Sequence, residues 1–277
     1  MKNGERLSGA STNNSASRID LASCITAGSR DGRLQLMTHQ VVGYPSFETN
    51  YEMIRLFHEK GIRLVELQLP FSEPIADGPI FLKANQEALA AGVTVEQCMA
   101  FAARVTADFP DIAFLFMTYY NIVFRYGEEA FVRKCAQLGI AGLIVPDAYP
   151  EESGGLMNVC AANFVDFVLL ATPYTPESRL AWLAERTSGF LYCAARKGVT
   201  GAKTEFGGGT DEFLARARKV ARTPLAVGFG IQNGDDLAYL RGKCDIAIIG
   251  TQMLLELERN GLDGMGRFLE ELQSGAI

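Results

Sequence analysis

Ile62-Arg63-Leu64-Val65-Glu66-Leu67-Gln68-Leu69 runs directly into Pro70-Phe71-Ser72-Glu73-Pro74-Ile75-Ala76-Asp77-Gly78-Pro79. The first eight residues read as a β-strand whose two-residue pleat puts Leu64, Glu66 and Gln68 on one face and Val65, Leu67 and Leu69 on the other. With the apolar set packed under helices, Glu66 and Gln68 look inward. The following loop is stiffened by Pro74 and Pro79 and carries a second carboxylate, Asp77, to the same end of the strand. Ionising Glu66 in such surroundings is costly, so it holds a proton up to near neutrality, which suits a group that both gives and takes one. The alternative reading makes Glu66 a paired structural carboxylate and Ser72 to Asp77 simple turn formers.

Working outward, apolar runs of this kind begin near Leu36, Arg63, Ile112, Ala141, Val165, Gly189, Leu225 and Asp245. Helical periodicity falls between them: Thr49 to Lys60, with a capping-box-like Thr49-x-x-Glu52, then Val95 to Asp108, Glu128 to Leu138, Glu151 to Asn163, Pro176 to Thr187, Asp211 to Ala221 and Asp235 to Gly242. Strands apolar on both faces, each followed by a helix, predict an α/β chain with a closed parallel (β/α)₈ TIM barrel spanning residues 34–277. A doubly wound sheet fits less well, since no GxGxxG opens a helix after the first strand. In such barrels the chemistry sits at the C-terminal ends of the strands. Two connections there are unusually long: Pro70 to Pro79 after strand 2, and Ala194 to Thr210 after strand 6.

Residues 1–33 are rich in Ser, Asn, Gly and Ala and read as a polar N-terminal arm, with a short amphipathic helix at Arg18 to Ile25. A net charge of −6 over 277 residues offers no basic surface for nucleic acid, while 48% hydrophobic residues can fill a large core. No apolar run is long enough for a membrane span, and the N-terminal residues lack a signal-peptide core, so a cytoplasmic location is expected. Six cysteines stand singly without metal-ligand spacing, and His39 and His58 lie in no HxxxH or triad setting, so no metal site is expected.

The last three strands each end in glycine: Lys197-Gly198-Val199-Thr200-Gly201, Gly228-Phe229-Gly230 and Ile249-Gly250-Thr251, the last opening a helix. Glycines let backbone N–H groups approach an anion and a helix N-terminus adds a favourable dipole, so Gly201, Gly230, Gly250 and Thr251 together predict a phosphate cup. Any one of them alone reads as a turn.

The block from Pro70 to Pro79 resembles the PFSDPxADGP signature of the tryptophan synthase alpha subunit family. Met117-Thr118-Tyr119-Tyr120-Asn121, Val145-Pro146-Asp147, Arg196-Lys197-Gly198-Val199-Thr200-Gly201 and Gly228-Phe229-Gly230-Ile231 match its further blocks in order, over residues 34–270. The resemblance implies retro-aldol cleavage of indole-3-glycerol phosphate into indole and glyceraldehyde 3-phosphate. It implies no cofactor on this chain, and delivery of indole to a pyridoxal-phosphate-dependent beta subunit. It puts the family's acid/base glutamate on Glu66 and its indole-binding aspartate on Asp77. Tyr192 matches a family active-site tyrosine and either positions substrate or fills the barrel. Thr200 falls on a lid after strand 6 or is a turn residue. Pro70, Glu73, Asn121 and Asp147 are expected to face the beta partner.

Five positions depart from the family pattern: Gln68 in place of glycine, Glu73 of aspartate, Tyr44 of aspartate in a Gly-Asp-Pro turn, His39 of a pocket aromatic, and Thr251 of serine. A long inward Gln68 two residues from Glu66 is expected to narrow the substrate pocket, with Gln68→Gly raising kcat/KM. The same feature supports an alternative function, a catalytically weak subunit that binds and activates a beta partner.

Overall fold

The computed structural model describes residues 19–28, 34–194, 208–228 and 230–275. Eight parallel strands form a closed barrel in sequence order: β1 (Gln35–Val41), β2 (Leu64–Gln68), β3 (Ala113–Met117), β4 (Gly142–Ile144), β5 (Asp166–Ala171), β6 (Leu191–Ala194), β7 (Leu225–Gly228) and β8 (Ile246–Ile249). Pairing of Gln35 with Ile246 and of Thr38 with Ile249 closes the sheet on itself. Every strand start lies within two residues of its sequence expectation.

The helices among the described residues are α1 (Leu21–Gly28), α2 (Phe47–Glu59), α3 (Pro79–Ala90), α4 (Val95–Asp108), α5 (Tyr120–Tyr126), α6 (Glu128–Leu138), α7 (Gly154–Ala162), α8 (Glu177–Arg186), α9 (Gly208–Val220), α10 (Gly234–Leu240) and α11 (Thr251–Gly275). Three of the differences from the sequence reading have local reasons. α2 starts earlier because Ser46, in extended conformation, accepts the Thr49 N–H at 3.1 Å, making Ser46 the cap and Thr49 the third helical residue. α3, absent from that reading, begins at Pro79, whose ring fits the first helical position as well as it stiffens a loop. α5 lies inside the Met117–Asn121 block and is held by Asp147, whose Oδ1 accepts the Tyr120 N–H at 2.9 Å.

The pleat divides the core in two. Val65, Leu67, Phe114 and Phe116 pack outward against Phe57, Phe131 and their neighbours on the helices. Met37, Leu64, Leu115, Met117, Val168 and Ile248 fill the barrel interior. The interior is stoppered at its N-terminal end by α1, whose Leu21 and Ile25 are each 1% exposed and join the interior cluster. Asp20 caps this helix, accepting the Ser23 N–H at 3.0 Å. Gly189, at φ +72°, leaves the space Leu21 needs, since a Cβ there would lie 2.6 Å from Leu21 Cδ2. The helix thus ends three residues later than expected and acts as the floor of the barrel. Leu21→Ala is expected to destabilise the fold by about 2–5 kcal/mol, the range for emptying a buried leucine site. Urea unfolding checks this, with KM unchanged because the floor lies at the opposite end from the strand C-termini.

Candidate active site

Glu66, in the middle of β2, projects into the barrel and is 2% exposed. Its Oε2 has no hydrogen-bond partner among the described residues, and Oε1 lies 3.8 Å from His39 Nε2 on β1. Asp77 reaches the same interior from the loop after β2. That loop is folded by its own backbone, with the Asp77 N–H donating to Pro74 O at 2.9 Å. The Ala76 N–H donates to the Tyr119 hydroxyl at 3.1 Å, tying the loop to the end of β3.

The Asp77 carboxylate is held by amides. Gln68 Nε2 donates to Oδ2 at 2.5 Å and Asn85 Nδ2, from α3, approaches the same oxygen at 3.4 Å. Asn85 is fully buried, accepts the Phe71 N–H at 2.9 Å and donates to Phe81 O at 2.8 Å, so one side chain clamps both ends of the loop. Sequence reasoning gave no role to Asn85 or Tyr119. The available signal was an asparagine on the apolar face of α3 and a tyrosine inside a matching block.

Burial sets the ionisation of the pair. Desolvation, with the Asp77 charge adding to it, pushes Glu66 up to about 8. Desolvation also raises Asp77, to about 6, while the hydrogen bonds from Gln68, Tyr119 and Asn85 oppose it. Near neutrality the site therefore holds one protonated and one ionised carboxyl group.

His39 is buried and stacks on Phe81, with ring centroids 4.2 Å apart. Desolvation lowers it to about 3, so the imidazole is neutral. Tyr192 on β6 joins the interior cluster, and burial raises its hydroxyl well above the ordinary value, with Glu66 and Asp77 adding to the shift. Its ring occupies space left by Gly228, where a Cβ would lie 2.3 Å from the hydroxyl.

Of the expected phosphate cup, Gly230 (φ +100°), Gly250 and Thr251 sit at the ends of β7 and β8. The first bond of α11 runs from the Leu254 N–H to Gly250 O, so the N–H groups of Thr251, Gln252 and Met253 precede the helical ladder. Gly250 has a packing role besides: a Cβ there would lie 2.9 Å from Phe81 Cζ and 3.3 Å from His39 Cβ. Thr200 and Gly201 lie outside the described residues.

The family model of the tryptophan synthase alpha chain matches residues 26–273. The chain belongs to the tryptophan synthase alpha chain family. It is 47% identical over 243 residues to the tryptophan synthase alpha chain of Desulforapulum autotrophicum, spanning 88% of this chain and 96% of the relative. It is 46% identical over 238 residues to that of Syntrophotalea carbinolica, spanning 86% and 94%. The fold superposes on Mycobacterium tuberculosis tryptophan synthase with a TM-score of 0.85 at 29% identity, covering 92% of this chain and 97% of that one. A chain of the tryptophan synthase α2β2 complex from Pyrococcus furiosus gives 0.80 at 25% identity, covering 88% and 98%.

Of the departures from the tryptophan synthase alpha pattern, His39 and Gln68 touch each other, with His39 Nε2 and Gln68 Oε1 2.9 Å apart. Tyr44 is turned away from the carboxylates. Its hydroxyl donates to Glu258 Oε1 on α11 at 2.5 Å, where Lys83 of α3 also arrives at 2.9 Å, so it braces helices on the barrel's outside rather than the active-site loop. Thr251 starts α11 and Glu73 is exposed. Of the expected partner-facing residues, Asn121 is also exposed, Asp147 caps α5, and Pro70 is buried, which leaves it little surface to offer. The connections around them, α5 included, present Ile75, Phe124, Tyr149 and Tyr174, each more than 60% exposed. No single helix among the described residues is long and apolar enough to cross a membrane.

Proposed function

We propose that this chain is the alpha subunit of a tryptophan synthase and that Glu66 and Asp77 carry out its retro-aldol cleavage of indole-3-glycerol phosphate. The observation that carries the residue assignment is the buried carboxyl pair in one interior, Glu66 from β2 and Asp77 from the loop that follows it, with burial raising both and Glu66 the further of the two. Protonated Glu66 delivers its proton to the ring carbon that bears the glycerol chain. The ring nitrogen then becomes electron-poor, and ionised Asp77 accepts its N–H and balances the charge. Glu66, now ionised, removes the proton of the adjacent side-chain hydroxyl; the carbon–carbon bond breaks, its electron pair returns to the ring, and the hydroxyl carbon becomes the aldehyde of glyceraldehyde 3-phosphate. The proton lost from the hydroxyl restores Glu66, so the cycle needs no outside acid. Tyr192 stands in the same barrel interior, where the charges of both carboxylates reach its hydroxyl, and this supports a placement of the substrate there.

A pH profile follows from the two shifts. kcat/KM is expected to rise as Asp77 ionises near pH 6 and fall as Glu66 loses its proton near pH 8, with the two limbs belonging to the coupled pair. Steady-state rates from pH 5 to pH 9 check this on the order of a tenfold fall per unit outside the limbs. A profile flat across that window overturns the assignment.

The phosphate of the substrate is assigned to the start of α11 with Gly230. Thr251→Val keeps the shape and removes the hydroxyl, and is expected to weaken both substrate and inorganic phosphate by roughly 10- to 150-fold, the worth of a hydrogen bond to a charged group. Competition by inorganic phosphate reads this directly, and unchanged inhibition moves the anion elsewhere. Gly250→Val is a poorer test, because the added side chain displaces Phe81 and His39 as well.

Release of indole by the chain alone, faster with a pyridoxal-phosphate-dependent beta subunit added, is the experiment that tests the function. The exposed apolar side chains of the βα loops support a partner on that face. The alternative of a catalytically weak activating subunit is not favoured, since both carboxyl groups stand in the interior with opposite protonation. The small anionic substrate and six free cysteines support a cytoplasmic location.

A further inference from the structure

Gln68 and His39 each depart from the family pattern, and they are bonded to one another across adjacent strands. The amide of Gln68 has two unlike ends and each meets a matching group. Its nitrogen donates to Asp77 Oδ2 at 2.5 Å, which leaves Oε1 facing His39 Nε2 at 2.9 Å. Flipping the amide would set a carbonyl against a carboxylate, so the direction is determined, and the imidazole must carry its proton on Nε2. The imidazole is in turn wedged: Phe81 stacks on it and Gly250 supplies the room for both rings. Both polar atoms of Gln68 are thus engaged, by Asp77 and by His39, rather than pointed at free space.

We propose that His39 and Gln68 work as one unit, a neutral imidazole–amide relay that positions Asp77 and keeps it ionised for its contact with the ring nitrogen. Gln68 is the positioning residue and His39 its support; neither is assigned a bond to substrate. The proposal rests on the reading of Asp77 given above. Of the hydrogen bonds that hold Asp77 down against its desolvation, the one from Gln68 is the largest. The other titratable groups around Asp77 among the described residues are Glu66 on β2, His39 on β1, Tyr119 at the end of β3 and Tyr192 on β6. Burial keeps His39 and both tyrosines neutral, which leaves Glu66 as the one that titrates beside it, on the alkaline side.

The test is the acid limb of kcat/KM for indole-3-glycerol phosphate in three variants, assayed with a beta subunit. Gln68→Met keeps length and volume but donates nothing, so Asp77 protonates more readily and the limb moves up by about one pH unit. His39→Phe keeps the stack and removes the anchor of the amide, and moves the limb the same way. The double variant is expected to be no worse than Gln68→Met alone, because the second change removes a support that no longer holds anything. A purely structural pair would lower the melting temperature and leave the limb in place. An unmoved limb in folded Gln68→Met, effects of the two changes that multiply, or a rise in kcat/KM for Gln68→Gly overturns the relay. Asp77→Asn separates the two ideas. If that variant is inactive while the Gln68→Met limb stays put, the relay alone fails; if it remains fully active, the reading of Asp77 fails and the relay with it.

Discussion

Glu66→Gln is expected to lower kcat by about 10²- to 10⁴-fold, the contribution of a positioned acid–base group, while leaving phosphate affinity unchanged. The amide fills the same space on β2 but neither protonates the ring carbon nor takes the hydroxyl proton. The same substitution is expected to stabilise the protein. Glu66 is raised from an ordinary 4.5 to about 8, so between those values the folded chain holds a proton that the unfolded chain has released. Stability conferred by the protonated form is complete below pH 4.5 and is lost as pH rises to about 8. Glutamine removes that slope. The melting temperature of the variant should therefore exceed that of the parent by a margin that grows across this window. Turnover within a few-fold of the parent, or a margin that shrinks as pH rises, rejects the role assigned to Glu66.

Asp77→Asn is expected to cost about 10²-fold or more in kcat, the loss found when charge stabilisation is removed from a buried site. The structure sharpens the reason. Gln68 and Asn85 both direct N–H groups at Oδ2. An amide at position 77 must keep its oxygen there, which turns its own N–H₂ toward the ring nitrogen and sets donor against donor. The variant should fold, since the loop is held by its backbone bond to Pro74 and by Asn85, and it should lose the acid limb of the pH profile. Normal cleavage by a folded variant makes Asp77 a turn residue only.

The barrel was legible from the chain because a strand covered by helices on one side and by the barrel interior on the other is apolar on both faces, and eight such runs recur with helical patterns between them. Glu66 stood out for the same reason, as a lone carboxylate among apolar neighbours. Helices α3 and α5 were hidden because Pro79 and the Tyr119–Asn121 block carry signals that loops and helix starts share. Whether Leu21 and Ile25 formed part of an arm or the floor of the barrel depended on the opening at Gly189, which belongs to a distant segment.

Residue type and order by themselves determined the strand count, the inward face of β2 and the two carboxylates that β2 and its following loop carry. Tertiary structure alone decided which groups Gln68 meets. A glutamine two residues from Glu66 reads as bulk until its partners are known, and His39 is 29 residues away on the neighbouring strand, meeting it only because the β1–β2 register pairs His39 with Glu66. Hydrogen bonds act over about 3 Å, whereas sequence separation carries no distance until the sheet closes, so the partners of an inward side chain are set by the fold.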